Sequence, residues 1–161
     1  MKVLVIGGAG YVGTVLVDKL LQLGHNVTCY DLMIYGSHFS DHSNLNLVKG
    51  DIRDLEFLEK NVIAQDCIIH LACISNDPSF ELNPTLGKSI NYDCFEPLVK
   101  LAVKHSVKKF VYASSSSVYG VKSDINVTEN TSLEPLTDYS KFKVLCENVL
   151  LKYRSDKFET V

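Results

Sequence analysis

A glycine-rich stretch between a short apolar segment and a helical pattern is the feature that most constrains the fold. GGAGYVG, residues 7–13, follows the strand-like segment 2–6 and leads into a helical pattern over residues 11–23. It reads as GxGxxG from Gly8 and as a wider GxxGxxG from Gly7. Glycines at such a turn permit positive φ and close backbone approach to a diphosphate, and the helix start offers free N–H groups. The stretch therefore predicts the phosphate-binding turn of a dinucleotide site.

Short apolar segments alternate with longer helical patterns along the rest of the chain. The predicted strands cover residues 2–6, 27–30, 45–49, 67–71, 109–114 and 158–161. The predicted helices cover residues 11–23, 55–60, 83–105 and 139–153. Pro97 should kink the third helix or divide it near Asp93. This alternation is typical of an α/β protein, and we predict one domain over residues 1–161 with a doubly wound parallel sheet and helices on both faces.

The composition argues against several classes of protein. The chain of 161 residues carries a formal charge of −3 and has no basic run interleaved with aromatic residues, which argues against nucleic-acid binding. No apolar stretch approaches the length that spans a bilayer. The first apolar run breaks at Gly7-Gly8, unlike a secretory signal, and five cysteines without paired spacing predict buried reduced thiols in a cytoplasmic protein. His38 and His42 with Asp41 imitate a metal-ligand spacing, but they lie in a polar stretch without a second cluster, so no metal is expected.

An acidic residue follows the second predicted strand. Asp31 lies eighteen residues after Gly13, close to the spacing at which dinucleotide-binding domains place a ribose-binding acid. A carboxylate there accepts hydrogen bonds from both hydroxyls of the adenosine ribose and repels a 2′-phosphate, which favours NAD over NADP. The alternative is an ordinary loop acid.

A tyrosine and a lysine lie four residues apart at the start of the last helical pattern. This spacing places Tyr139 and Lys143 on one face of the helix. A nearby ammonium and the positive ring of an oxidised nicotinamide would favour the phenolate. Bringing a phenol to a pKa of about 7 requires roughly 4 kcal/mol of differential stabilisation, which needs a partly desolvated site. Taken alone, such a pair is usually a surface contact, and the serine run 114–117 is equally uninformative in isolation.

Taken together, these segments resemble the extended short-chain dehydrogenase/reductase superfamily, in its branch of NAD-dependent nucleotide-sugar epimerases and dehydratases. The resemblance covers essentially the whole chain and implies a Rossmann-type sheet. Its marks are GGAGYVG (7–13), YDL (30–32), GDIRD (50–54), HLA (70–72), NYD (91–93), SSSSVYG (114–120) and YSKFK (139–143).

The resemblance also implies a set of cofactor-binding residues. Asp51 is similar to the acid that contacts adenine in this family. The backbone around His70–Cys73 resembles the stretch that lines the cofactor. Asn91 resembles an asparagine that orders the site. Lys143 is similar to the lysine that bonds the nicotinamide ribose. The expected NAD-binding residues are Gly7, Gly10, Tyr11, Val12, Gly13, Asp31, Asp51, Ile52, Leu71, Ala72, Asn91 and Lys143.

By the same resemblance, the catalytic residues are Ser115, Tyr139 and Lys143, with Ser115 selected because it lies four residues before Tyr119. Related 4,6-dehydratases carry an acidic pair where this chain has Ser116 and Ser117. Dehydration is therefore disfavoured, and 4-epimerisation of a nucleotide-sugar through a 4-keto intermediate is expected. A reductase or dehydratase of the same family, or an NAD-binding module without turnover, are the alternatives.

The main departure from the family is length. Its enzymes are considerably longer, and the segment that binds the nucleotide-sugar lies in their C-terminal part, so the sequence is expected to stop before the substrate-binding region. Residues 74–80 either border the substrate or form a plain surface loop. Family members often dimerise through two helices, which here predicts a homodimer through residues 84–105 and 139–153.

Overall fold

A parallel sheet lies at the centre of the computed structural model, which describes residues 1–123 and 126–161. Its strands are β1 (Lys2–Ile6), β2 (Asn26–Asp31), β3 (Leu45–Lys49), β4 (Cys67–His70), β5 (Lys109–Tyr112) and β6 (Glu159–Thr160). The spatial order is β3-β2-β1-β4-β5-β6, and every neighbouring pair is parallel. The order reverses between β1 and β4, and such sheets bind ligands at the carboxyl ends of the strands beside that reversal. The predicted doubly wound sheet is confirmed.

Within the described residues, six α-helices and two short turns of other helix types connect the strands. The helices are α1 (Tyr11–Gln22), α2 (Leu55–Val62), α3 (Asp77–Glu81), α4 (Pro84–Lys88), α5 (Phe95–Lys104) and α6 (Asp138–Tyr153). A π-helical turn, Ser89–Asp93, joins α4 to α5, and a 3₁₀ turn, Ser116–Tyr119, follows β5.

The core lies on both faces of the sheet. Val3 and Val5 of β1 belong to a cluster that includes α1, whereas Leu4 and Ile6 belong to a larger cluster that includes α2, α5 and α6. Successive strand residues point to opposite faces, so this division shows that β1 is covered on both sides. The near-continuous apolar character of β1 in the sequence follows from that double burial.

The predicted 83–105 helix is divided near Asp93, as expected from Pro97. The π-helical turn ends there, Cys94 caps α5, and α5 begins at Phe95. Pro97 is the third residue of α5, within the first turn, where a backbone N–H has no intrahelical acceptor. The proline therefore limits where α5 can begin.

Several element boundaries differ from the sequence prediction. β4 ends at His70 because the N–H groups of Leu71 and Ala72 both turn to the carbonyl of Ile6, at 2.8 and 3.0 Å. Residues 74–80, for which the sequence allowed either a substrate border or a plain surface loop, are partly helical, since α3 begins at Asp77. Asn76 caps α3 by accepting a hydrogen bond from the Ser79 N–H at 3.0 Å. β5 is shorter than predicted, since it ends at Tyr112.

The expectations from composition can be compared with the structure. Four of the five cysteines are buried free thiols, as predicted, and Cys73 is partly exposed. Within residues 1–123 and 126–161, no helix is both long and apolar enough to cross a membrane. A cytoplasmic location stays a prediction.

Candidate active site

The glycine turn packs directly against the start of the loop that follows β4. Gly7 has φ +82°, and a Cβ there would lie 2.5 Å from the Ala72 backbone nitrogen. A Cβ on Gly13 would lie 2.5 Å from the carbonyl oxygens of Gly7 and Gly8. Only glycine fits at positions 7 and 13, and their absence of side chains brings β1, α1 and the end of β4 into contact.

The start of α1 presents backbone donors above this turn. Gly10 is the N-cap in an extended conformation and provides no side-chain cap, and its carbonyl accepts the Thr14 N–H at 2.9 Å. The N–H groups of the first helical residues, Tyr11, Val12 and Gly13, have no intrahelical acceptor. The side chains of Tyr11 and Val12 are exposed, at 97% and 61%. This arrangement suits an anionic diphosphate, as the sequence predicted.

The carboxylate of Asp31 joins the end of β2 to the glycine turn. One oxygen accepts the Ala9 N–H at 3.1 Å, and the other accepts the Met33 N–H at 2.7 Å. A carboxylate has about four acceptor positions, so two remain for ribose hydroxyls. The glycine turn and Asp31 together form a site that fits the adenosine and diphosphate parts of NAD.

The residues after β3 have partners within the protein. The Asp51 carboxylate is bonded by Arg53, with Nε at 2.9 Å from one oxygen, and the hydrogen bonds from Arg53 are the main cause of the lowered pKa of Asp51. The side chain of Ile52 belongs to the apolar core, at 4% exposure. Ile52 can therefore offer only its backbone to a cofactor, and the proposed adenine contact of Asp51 would compete with Arg53.

Three further residues expected near the cofactor have structural partners. The N–H groups of Leu71 and Ala72 are already bonded to Ile6, so their free groups are carbonyls and side chains. Asn91 is buried, and its amide accepts the Ile74 N–H at 2.8 Å and donates to the Ile74 carbonyl at 3.0 Å. These bonds give Asn91 an ordering role for the loop after β4, and its contact with the cofactor stays a prediction.

Ser115, Tyr139 and Lys143, expected to be catalytic, lie at the adjoining ends of β5 and α6. Lys143 donates to the carbonyl of Ala113, two residues before Ser115, at 2.7 Å. Ser115 lies close enough to Tyr139 to lower the pKa of the phenol, and its Oγ lies 2.8 Å from the Ser117 Oγ. The structure therefore brings together three side chains that are far apart in the sequence.

The start of α6 is fixed by a reciprocal cap. The Thr137 hydroxyl accepts a hydrogen bond from the Ser140 N–H at 3.2 Å, and the Ser140 hydroxyl accepts one from the Thr137 N–H at 3.1 Å. The Thr137 hydroxyl also donates to the Asp77 carboxylate of α3. The ring of Phe80, also from α3, packs edge-on against Tyr139 with centroids 6.3 Å apart. Tyr139 is thus held by its own helix and by α3.

Burial is the main influence on the protonation of Tyr139. Burial, followed by the neighbouring Cys73, raises the pKa of Tyr139, and interactions with Ser115 and the Asn76 backbone lower it by less. The Lys143 ammonium lies 5.7 Å from the centroid of the Tyr139 ring. The predicted effect of this ammonium together with an oxidised nicotinamide on the pKa of Tyr139 stays a prediction.

A cavity of about 290 Å³ opens beside Tyr139. Its lining residues come from α3, α4 and the start of α6: Asp77, Phe80, Glu81, Pro84, Leu136, Thr137, Asp138 and Tyr139. Two of residues 74–80, Asp77 and Phe80, therefore border a space next to Tyr139. The contact between Asp77 and Thr137 was not predicted from the sequence. The available signal was the Asn-Asp-Pro run at residues 76–78, which is typical of a helix start and begins α3.

No group of three or more His, Cys, Asp or Glu side chains that could hold a metal ion occurs in the described part of the chain.

Comparison with known proteins gives a match over nearly the whole chain. The sequence model of the NAD-dependent epimerase/dehydratase family matches residues 3–161. A UDP-glucose 4-epimerase of Lactobacillus helveticus is 31% identical over 153 residues, which are 93% of this chain and 46% of that protein.

Solved structures resemble this fold over its full extent. A UDP-N-acetylglucosamine 4-epimerase from Methanobrevibacter ruminantium M1, in complex with UDP-N-acetylmuramic acid, superposes with a TM-score of 0.89 at 28% identity, over 99% of this chain and 53% of that one. A dTDP-glucose 4,6-dehydratase from Streptomyces venezuelae with NAD bound superposes with a TM-score of 0.90 at 27% identity, over 99% of this chain and 54% of that one. This chain spans about half the length of these proteins.

Proposed function

Because the chain belongs to the NAD-dependent epimerase/dehydratase family, we propose that it is the cofactor-binding and catalytic part of a nucleotide-sugar 4-epimerase. The family and its NAD-bound members confirm the predicted cofactor. The observation that carries the finer proposal is the group of hydroxyls at the end of β5. The Ser115 Oγ lies 2.8 Å from the Ser117 Oγ, and Ser115 lowers the pKa of the nearby Tyr139. The positions of the dehydratase acids are occupied by Ser116 and Ser117, which cannot serve as a carboxylic acid and base.

The proposed mechanism assigns each side chain one task. Ser115 holds the reacting oxygen of the sugar by a hydrogen bond, and Tyr139 exchanges a proton with that oxygen. When bound, NAD supplies the hydride acceptor and, in its oxidised form, a positive charge near the phenol. Lys143 is proposed to bond the nicotinamide ribose. The 4-keto sugar formed by oxidation rotates and is reduced on its other face.

The raised pKa of Tyr139 is consistent with one half of this cycle. A protonated phenol is the form that returns a proton to the ketone oxygen during reduction. The oxidative half requires the phenolate, which burial disfavours. We therefore propose that Tyr139 loses its proton only when the cofactor is bound in its oxidised form.

The substrate is proposed to be a nucleotide-sugar, and the names of the relatives make UDP-hexoses the first to test. Similarity to a 4,6-dehydratase keeps elimination as a second candidate. The two reactions differ in solvent exchange. Epimerisation returns the hydride to the same carbon, whereas 4,6-elimination would return it to C6 and take up one solvent hydrogen at C5. The homodimer through residues 84–105 and 139–153 stays a prediction, as does the assignment of residues 1–161 to one NAD-binding domain.

The test uses the full-length protein with Tyr139→Phe and, as the matched control, Tyr153→Phe on the same helix, whose hydroxyl bonds Glu96 at 2.8 Å. Each protein is assayed in D₂O with UDP-, dTDP- and GDP-sugars after its bound nucleotide is identified by mass spectrometry. Tyr139→Phe should lower kcat by about 10²–10⁴-fold, the range of general acid–base catalysis, with NAD affinity retained and the control unaffected. The wild-type product should be a 4-epimer without deuterium.

Three results would contradict the proposal. Unchanged turnover in Tyr139→Phe would remove the phenol from the mechanism. A deuterated 4-keto-6-deoxy product would identify a dehydratase. NAD binding without turnover of any sugar in the panel would favour the non-catalytic module.

A further inference from the structure

The ammonium of Lys143 is buried without a carboxylate partner. Lys143 is 4% exposed, and among the described residues its one hydrogen-bond acceptor is the carbonyl of Ala113, at 2.7 Å. The carboxylate one turn further along α6, Glu147, accepts a bond from the Ser114 hydroxyl instead. A buried charge is unfavourable unless other groups stabilise it, so the source of that stabilisation needs to be found.

An aromatic ring lies close to this ammonium. The Lys143 Nζ is over the ring of Tyr112, 4.7 Å from its centroid, whereas the ring of Tyr139 is 5.7 Å away. A cation within about 6 Å of a ring centroid is attracted by the ring's quadrupole, and the attraction is stronger in a desolvated site. Tyr112 is therefore the nearer of two rings that can stabilise the charge.

The ring of Tyr112 is itself held in place by the core. Tyr112 is the last residue of β5 and pairs with His70 in the sheet register. Its ring packs on Phe95 with centroids 4.7 Å apart and edge-on against His70 at 5.7 Å. These two aromatic contacts fix the position of the ring at the end of β5.

The groups around Lys143 act on its charge in both directions, since burial lowers the pKa of Lys143, whereas Cys73, Cys146 and Glu147 raise it by less. Burial raises the pKa of the Tyr112 hydroxyl, so the ring is neutral. His70 of β4 is neutral as well, since burial lowers its pKa to about 3. Cys73 after β4, and Tyr139, Cys146 and Glu147 on α6, are the other titratable groups that face the ammonium.

We propose that Tyr112 is a positioning residue for Lys143: the face of its ring, together with the Ala113 carbonyl, keeps the Lys143 ammonium charged and fixed at the end of β5. Its consequence for turnover rests on the proposed function, because it acts through the lysine assigned to the nicotinamide ribose. The placement of the ammonium can be tested without turnover.

The experiment replaces Tyr112 by Phe, by phenylalanines carrying one, two and three fluorines, and by Leu. Fluorination weakens the ring quadrupole with little change of shape, so the series keeps the packing on Phe95 and remains informative if Tyr112→Leu fails to fold. The pKa of Lys143 is followed by NMR of ¹³C-labelled lysine on the whole 161-residue chain, with the signal assigned by its loss in Lys143→Met.

Tyr112→Phe should leave the Lys143 pKa close to that of the wild type, since the ring remains. The pKa should fall in steps with fluorination, reaching a decrease of about one unit in the trifluoro variant and in Tyr112→Leu. A pKa that is indifferent to fluorination overturns the proposal. So does a Tyr112→Phe variant that matches Tyr112→Leu, because the hydroxyl and not the ring would then be responsible.

Kinetics of the same variants in the full-length enzyme separate this proposal from the proposed function. A graded fall in kcat that follows the Lys143 pKa, with substrate KM unchanged and activity retained in Tyr112→Phe, supports both. A flat fluorination series in an enzyme that Tyr139→Phe inactivates overturns only the role of Tyr112. A graded pKa in a protein without turnover supports the placement of the ammonium and overturns the proposed function.

Discussion

The two sides of the site, separated by the reversal of strand order, are built in different ways. On the side of β1 and β2, the geometry is set by the backbone: Gly7 adopts φ +82° against Ala72, and Asp31 is held by two backbone N–H groups. On the side of β5 and α6, it is set by side chains from distant segments, among them Tyr139 and Lys143, both almost fully buried.

This difference separates shape from protonation. The backbone-defined side restricts which residue types fit, and its acid, Asp31, is paired with neutral donors. On the side-chain-defined side, burial changes the acid–base properties of the groups it holds, because it raises the pKa of Tyr139 and lowers those of Lys143 and His70. Substitutions on the side of β1 and β2 should therefore act through steric conflict. Substitutions on the side of β5 and α6 should act by changing the burial and charge of the side chains there.

The largest effect is expected from a methyl group in the glycine turn. Gly7→Ala should destabilise the fold by about 3 kcal/mol or more, because positive φ alone costs a non-glycine residue about 1–3 kcal/mol and the new Cβ would lie 2.5 Å from the Ala72 nitrogen. Gly10→Ala is the control, since its Cβ would meet only the Gly7 carbonyl, at 3.3 Å. Urea denaturation measures the stability of both variants.

Gly10→Ala should fold with a loss of less than about 1 kcal/mol, the range for changing an N-cap, and its defect should appear in NAD affinity, measured by calorimetry. Equal stability losses in Gly7→Ala and Gly10→Ala would contradict the assignment of Gly7 to packing against Ala72 and of Gly10 to cofactor binding.

Most of the sheet could be predicted from the sequence, because buried parallel strands are short apolar runs and the connecting helices have a 3.6-residue period. β1 and β3 were predicted at their observed limits, and the division near Asp93 followed from Pro97. Strand ends were less predictable. β4 stops at His70 because the next two N–H groups turn to Ile6, a choice set by the neighbouring strand rather than by local sequence.

The sequence indicated that Tyr139 and Lys143 lie close together, but it did not indicate how burial changes their pKa values. The spacing of Tyr139 and Lys143 on one helix face indicates proximity, and it also suggested that the ammonium lowers the pKa of the phenol. The structure instead directs that ammonium to the Ala113 carbonyl and the Tyr112 ring. Desolvation and the direction of a long side chain depend on tertiary packing, which no spacing in the sequence reveals.

An intermediate effect is expected from His70, which tests whether burial governs the second side. His70 is 2% exposed, its Nδ1 has no partner, and its pKa is lowered to about 3. Above pH 6.5 both the folded and the unfolded state are neutral at this residue. Below it the unfolded state binds a proton that the folded state refuses, so stability should fall by about 1.4 kcal/mol per pH unit until the pH approaches 3.

Urea denaturation at pH 7.5, 6.5, 5.5 and 4.5 measures this slope in the wild type, in His70→Leu and in His38→Gln, which removes an exposed histidine. His70→Leu should lower the slope of unfolding free energy against pH by the contribution of one proton, about 1.4 kcal/mol per pH unit. His38→Gln should leave that contribution in place. Parallel curves for wild type and His70→Leu would mean that His70 is protonated in the folded state, and the buried cluster with Phe95 and Tyr112 would need another description.

The smallest effect is expected where α3 is tied to α6, at the hydroxyl of Thr137. Thr137→Ala removes the cap of α6 and the bond to Asp77, and should lower stability by about 1 kcal/mol, the usual value of an N-cap. Thr137→Ser keeps both bonds and should stay close to the wild type. Repeating both substitutions with Asp77→Asn isolates the link between the helices: if it helps to hold Tyr139, the Thr137→Ala loss shrinks when Asp77 is already changed. A Thr137→Ala loss that is the same with Asp77 and with Asn at that position would assign the whole effect to the cap, and α3 would then hold Tyr139 through the ring of Phe80 alone.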